Sequence, residues 1–189
     1  MNRTSDYIDY DKALNKGLSL LNDPKKCRIG FYIIFSINCG LRISDVLNIR
    51  HKDLVLDKIP IIEKKTKKQR EITLNEVVKK SYIKLAAMLN DKNEKFDPDD
   101  FVFISQKGSV YRTQSINGIL KSLFNTKKLQ ISSHSLRKSF ARRVYSNLNE
   151  SENSLVLLSD IFSHSSISIT RRYLGIRQET ISNVYLSLV

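Results

Sequence analysis

Apolar residues recur at helical spacing along nearly the whole chain, and between Leu54 and Leu74 alone the period changes. Ile8, Leu14, Leu18 and Leu21 share one face of a helix over about 7–22, and Asn22-Asp23-Pro24 marks a stop and a restart. A second helix runs from Pro24 to about Asn38 and closes at Gly40 with a C-terminal glycine cap. Ile43 to Arg50 reads as a short helix with Ile43, Val46, Leu47 and Ile49 turned inward. Leu54-Val55-Leu56, Ile59-Pro60-Ile61-Ile62 and Glu71-Ile72-Thr73-Leu74 then read as three short strands, the last two joined by the basic turn Lys64 to Arg70. Helical spacing returns over about 75–90, 113–126, 134–148, 152–162, 166–174 and 177–188, with a short buried run at Phe101 to Ile104. The fold class is α+β, mostly α-helical with a small three-stranded antiparallel sheet.

A chain of 189 residues makes one domain with a core that needs no disulfide or metal to hold it. No apolar run approaches the ~20 residues of a membrane span, and the N-terminus lacks an apolar signal region. The expectation is a cytoplasmic protein without a membrane partner. Cys27 and Cys39 fall in one helix, where a rise of ~1.5 Å per residue sets them ~18 Å apart, too far to bridge. Neither has a His or Cys neighbour at metal-ligand spacing, so no metal and no cofactor are expected.

The formal charge is +13, and its distribution says more than its size. From Phe101 to Asn149 there is no acid, while Lys107, Arg112, Lys121, Lys127, Lys128, Arg137, Lys138, Arg142 and Arg143 all fall there. From Lys58 to Arg70 the cations Lys58, Lys64, Lys65, Lys67, Lys68 and Arg70 face Glu63 alone. A single run of this kind keeps a surface soluble; two together suit a polyanion, above all nucleic acid.

Several polar residues stand where they could do chemistry. Arg42 sits at a helix-to-helix junction that favours anions, although alone it reads as an ion-pair residue, with Asp45 nearby. His134 and Arg137 share a helix face and could grip a phosphate, or simply begin a solvated helix. His164 lies in a serine-rich helix entry and Tyr173 follows Arg171-Arg172. Lys65 is one charge on a turn among Lys64, Lys67 and Lys68.

In order, these residues form a pattern. Cys39-Gly-Leu-Arg42-Ile-Ser-Asp-Val-Leu-Asn-Ile-Arg50, His134-Ser-Leu-Arg137 and His164-Ser-Ser-Ile-Ser-Ile-Thr-Arg-Arg-Tyr173-Leu-Gly175 resemble the three signature boxes of tyrosine recombinases of the phage-integrase family. The strand–Lys65-Thr66–strand element between the first two boxes resembles that family's hairpin lysine. The resemblance spans about residue 10 to the C-terminus. Cys39 stands where threonine is common, and Phe162-Ser163 where Leu-Gly usually precedes the histidine.

The resemblance implies a tyrosine recombinase catalytic-domain fold and six catalytic positions: Arg42, Lys65, His134, Arg137, His164 and Tyr173. It implies a single catalytic domain over 1–189 without a separate N-terminal core-binding domain, either excised from a longer chain or akin to short invertase-type members. The partners implied are double-stranded DNA and further protomers, a tetramer in the active synapse, with the protein on the nucleoid when bound. Lys64, Lys67, Lys68, Arg70, Lys127, Lys128, Lys138, Arg142 and Arg143 are the candidate DNA contacts.

The chemistry suits these residue types. Attack on a phosphodiester builds charge that two arginines and imidazole donors can meet without a metal ion. Tyr173 as nucleophile needs a proton removed, with His134 the candidate assistant, and Lys65 can protonate the leaving 5′-oxygen. His164 would position the phosphate. The implied product is a 3′-phosphotyrosine with a free 5′-hydroxyl, which conserves bond energy without ATP. A type IB topoisomerase-like enzyme ranks second. A DNA binder on a recombinase scaffold would need neither the tyrosine nor the hairpin lysine, and a helical transcription factor explains the charge but not the ordered boxes.

Overall fold

The computed structural model describes residues 5–65, 67–91, 96–124 and 129–188, without the side chains of 177–181. The helices are α1 (Tyr10–Leu21), α2 (Cys27–Cys39), α3 (Ile43–Val46), α4 (Glu76–Asp91), α5 (Thr113–Phe124), α6 (Ser133–Asn147), α7 (Glu152–Phe162), α8 (Ile167–Leu174) and α9 (Ile176–Leu186). Strands β1 (Lys58–Ile62) and β2 (Gln69–Thr73) pair antiparallel, with Lys58 opposite Thr73 and Ile62 opposite Gln69. The chain falls into two compact units, 1–140 and 141–189, with the boundary inside α6.

In the first unit α2 is the central helix because it is apolar all round. Phe31, Ile33, Ile34, Phe35 and Ile37 are each fully buried, as expected of a helix covered on every side. The Phe31 ring lies 5.8 Å from Phe103 and 5.9 Å from Tyr82, so the loop before α5 and helix α4 both dock on it. Cys27 and Cys39 are free and buried at opposite ends of this helix. The sequence suggested three strands, but the described residues hold a two-stranded sheet. Residues His51–Val55 instead wind into a 3₁₀ turn. Asp53 accepts the Arg50 N–H at 2.8 Å, and Leu56 N–H closes onto the Asp53 carbonyl. With these groups satisfied locally, Leu54 turns into the core while Val55 stays 74% exposed, and no strand face develops.

The second unit is built on α7 and α8, with Leu155, Leu158, Phe162 and Leu174 buried. Ser151 caps α7 by accepting the Ser154 N–H, an N-cap role that serine suits. Val184, Tyr185, Leu186 and Leu188 at the end of the chain are exposed. No helix among the described residues is long and apolar enough to cross a membrane.

Helices α1 and α2 cross where Gly17 meets Gly30. A Cβ on residue 30 would stand 2.4 Å from the Leu21 amide nitrogen and 2.6 Å from the Gly17 carbonyl oxygen, both backbone atoms that cannot swing aside. Gly118, within α5, has nothing within 4 Å of such a Cβ. Gly30→Ala should therefore destabilise by ~1–3 kcal/mol through overpacking. Gly118→Ala should stabilise by ~0.5–1 kcal/mol through helix propensity. Urea unfolding of both variants reads the two signs, and a shift in the same direction for both would contradict this packing.

Candidate active site

In the first unit the site starts at Gly40, which ends α2 in the left-handed region with φ 59°. Its carbonyl accepts a 2.7 Å hydrogen bond from Arg137 Nη1 on α6. A Cβ at position 40 would meet the Phe140 ring at 2.3 Å, so the backbone angle and this close approach both require glycine. Arg137 is only 4% exposed, and its guanidinium is held by the bond rather than left to wander.

Two residues on, Arg42 is extended and leads into α3. Its Nη1 donates to Glu63 Oε2 at 2.6 Å. The nearby Asp45 is buried, and its Oδ1 accepts the Lys64 N–H at 3.1 Å and the Ser44 hydroxyl at 3.2 Å. Glu63 follows β1 directly and is 0% exposed. Its second oxygen lies 3.4 Å from Arg70 Nε on β2. Burial lowers the Arg70 pKa from the ordinary arginine value, against the pull of Glu63.

Beyond Glu63 the hairpin carries Lys64, Lys65, Lys67 and Lys68, all exposed. Lys67 takes a left-handed φ of 59°. The Lys67 N–H donates to the Glu63 carbonyl at 2.9 Å, and the Glu63 N–H to the Lys68 carbonyl at 3.0 Å. Thr66 lies outside the described residues.

His134, at the start of α6, is drawn together with these groups electrostatically. Its pKa lies below the ordinary histidine value through desolvation and then through the charges of Arg137, Lys138, Arg42 and Lys65. Arg42, Lys65, His134 and Arg137 thus occupy one electrostatic neighbourhood. The chain's other histidine in this unit, His51, is a core residue. It lies 3.0 Å from the Tyr82 hydroxyl and stacks on Phe96, and burial lowers its pKa to about 4.

In the second unit Ser163 ends α7 at a left-handed φ of 53°. Glycine would sit there freely, whereas a non-glycine residue costs ~1–2 kcal/mol, which explains why glycine is usual before the histidine in the resembled family. His164 Nδ1 lies 2.9 Å from the Thr170 hydroxyl, and Thr170 is fully buried. Phe162, also fully buried, is a platform for both candidate residues, with centroids 5.4 Å from His164 and 5.5 Å from Tyr173. The His164 and Tyr173 rings stand 5.7 Å apart, edge to face. Beside Tyr173 on α8, Arg171 pairs with Glu152 of α7.

The candidate DNA contacts differ in placement. Lys64, Lys67, Lys68 and Arg143 are exposed, and Lys138 and Arg142 are half-buried. Arg70 is turned inward to Glu63, and Lys127 and Lys128 lie outside the described residues. No group of three His, Cys, Asp or Glu side chains among the described residues could hold a metal ion. Sequence reading missed Glu63, Thr170 and the Gly40 carbonyl as partners. For Glu63 a signal existed, since it continues the alternation Ile59, Ile61 that marks the inner face of β1.

The depressed histidine gives a test. By NMR, His134 should titrate below the ~6.5 of a free histidine, and Arg42→Gln and Lys65→Ala should each move it upward. The unfolded chain then binds its proton first, so this group's contribution to stability is whole above about pH 6.5 and declines as pH falls toward the folded value. A His134 value indifferent to both substitutions would break up the proposed neighbourhood.

Comparisons with known proteins identify the family and the fold. A profile described as the phage integrase family matches residues 10–179. The chain is 32% identical over 167 residues to the probable integrase/recombinase YoeC of Bacillus subtilis (strain 168), covering 88% of this chain and 86% of that one. It is 28% identical over 189 residues to the tyrosine recombinase XerC of the same organism, covering 94% of this chain and 60% of that one. A solved XerA recombinase covers 99% of this chain and 66% of its own, with a TM-score of 0.68 at 17% identity. XerH bound to a palindromic difH substrate covers 97% of this chain and 53% of its own, with a TM-score of 0.69 at 20% identity. The chain thus spans most of YoeC but only about half to two thirds of these other proteins, and the solved structures share its fold. The chain belongs to the phage integrase family of tyrosine recombinases.

Proposed function

We propose that this chain cuts and rejoins DNA as a site-specific recombinase, through a 3′-phosphotyrosine at Tyr173. The observation that carries the reading is the match of the phage integrase family model to residues 10–179, a span in which Arg137 is fixed on the Gly40 carbonyl and Arg42 on Glu63. Glu63 is buried against Arg42, while Lys64, Lys65, Lys67 and Lys68 stay exposed, so the surface above it presents positive charge that suits an anion. A DNA phosphate is such an anion. Solved family structures include XerH bound to difH and a lambda integrase dimer bound to a COC′ core site, which supports DNA and further protomers as partners.

The roles follow from each group's chemistry. Arg42 and Arg137 meet the charge that develops on the non-bridging oxygens, with two guanidinium groups in place of a metal ion. His134, whose proton affinity is lowered by desolvation and by the surrounding cations, can take a proton from the attacking phenol, whose ordinary pKa is ~10. His164, with Nδ1 turned to Thr170, offers its other ring nitrogen to the phosphate. As the Tyr173 oxygen bonds to phosphorus, the bond to the 5′-oxygen breaks and Lys65 supplies that oxygen's proton. A 5′-hydroxyl on another strand then reverses the sequence, displacing Tyr173. One ester replaces another, so neither ATP nor water is consumed. Lys64, Lys67, Lys68, Lys138, Arg142 and Arg143 would hold the flanking backbone, where phosphate contacts position rather than specify. The reaction belongs in the cytoplasm, on the nucleoid.

Covalent trapping tests the reading. Nicked duplexes are recovered from a randomised pool by their retention on the protein under denaturing conditions, then resynthesised with an ordinary or a 5′-phosphorothiolate ester at the cut. The chain should form a protein-linked band with either. Lys65→Ala should slow cleavage of the ordinary ester by ~10²–10⁴ and leave the phosphorothiolate, whose sulfur departs without a proton, near the parental rate. A pool that yields no protein-linked DNA would overturn the proposed function. Equal slowing on both esters would remove Lys65 as the acid.

A further inference from the structure

Glu63 is the one acid in the basic run from Lys58 to Arg70, and it is completely buried. A carboxylate withdrawn from water is costly unless its charge is closely matched. Here the matching is specific: Oε2 takes the 2.6 Å hydrogen bond from Arg42 Nη1, and Oε1 lies 3.4 Å from Arg70 Nε. The same residue closes the neck of the hairpin with its backbone, donating to the Lys68 carbonyl and accepting from the Lys67 N–H. The next amide, that of Lys64, donates to buried Asp45 Oδ1 on α3. The turn that carries Lys65 is therefore tied twice to the segment that carries Arg42, once through a side chain and once through the backbone. An exposed ion pair would be worth little and would break readily. This carboxylate has no solvent to swing into, so the direction it imposes on Arg42 is fixed.

We propose that Glu63 is a positioning residue, which aims the Arg42 guanidinium at the scissile phosphate and sets the Lys65 turn in register with it. It touches no DNA itself. Through it, the group that meets the phosphate charge and the group that protonates the leaving oxygen are held as one assembly. The competing role is plain charge balance, in which Glu63 only neutralises Arg42 and Arg70 so that the hairpin base can be buried. The inference rests on the recombinase reading, and its test keeps the two apart.

Two variants and two esters separate these roles. Glu63→Gln keeps the shape and removes the charge. Glu63→Gln with Arg70→Gln removes one cation as well, which restores the balance of the buried cluster and guards against loss of folding. Each is measured in single-turnover cleavage of the trapped duplex with an ordinary phosphodiester or a methylphosphonate at the cut, alongside DNA binding and thermal melting. On the phosphodiester both variants should cleave about 10²-fold more slowly, the scale of a misplaced catalytic group, while the half-saturating DNA concentration stays near the parental one. On the methylphosphonate, which lacks the charge Arg42 must meet, the loss should shrink to a few-fold. Parental cleavage of the phosphodiester by the double variant would overturn the proposal in favour of charge balance. Equal losses on both esters together with a lowered melting temperature would overturn it in favour of a structural role. If the unaltered chain links DNA and Glu63→Gln links it equally fast, Glu63 alone falls; if the unaltered chain links none, the recombinase reading falls and takes this inference with it.

Discussion

The hydrogen bond from Arg137 to the Gly40 carbonyl is the contact on which the first unit's site depends. It pins the start of α6 to the end of the central helix α2, and Phe140, one turn further on, closes against the same glycine. Arg137 reaches that carbonyl only because Gly40 turns left-handed and leaves no side chain in the way. Arg42 then leaves the cap in extended conformation, and His134 is carried on the first turn of α6. The core and the site are continuous here: packing around α2 sets where the cap falls, and the cap sets where the cations stand.

Much of this was legible in the sequence because the signals are local. Gly40 as a helix cap and the helix boundaries near Cys39, Phe124 and Phe162 follow from short-range chemistry, while the order of the three boxes was legible through resemblance to a known family. The third strand failed because Leu54-Val55-Leu56 carries strand-like side chains, while Asp53 satisfies the Arg50 amide and winds the segment into a 3₁₀ turn. Arg42 pairs with Glu63 because the chain leaving β1 brings Glu63 to it, a long-range fact that nearness in sequence does not carry. Thr170 was invisible for a related reason: its hydroxyl matters only once the turn at Ser163 folds His164 back toward α8.

The two units solve different physical problems. The first crowds cations about an exposed histidine and buries two acids, Asp45 and Glu63, beneath them. That arrangement tolerates its own repulsion because the acids lie under the surface, leaving the field above it positive. The second holds an aromatic trio, Phe162, His164 and Tyr173, in which a buried ring fixes two partly exposed ones. The apolar Phe162 platform limits the rotamers of Tyr173, which suits the nucleophile we propose it to be.

The central claim is that Tyr173 becomes joined to a 3′-phosphate, and mass spectrometry of the trapped adduct tests it most directly. After protease and nuclease digestion, the account predicts a nucleotide remnant on the peptide containing Tyr173, bonded through its 3′-phosphate, and a 5′-hydroxyl on the released strand. A remnant on another residue, or a bond through a 5′-phosphate, would contradict it.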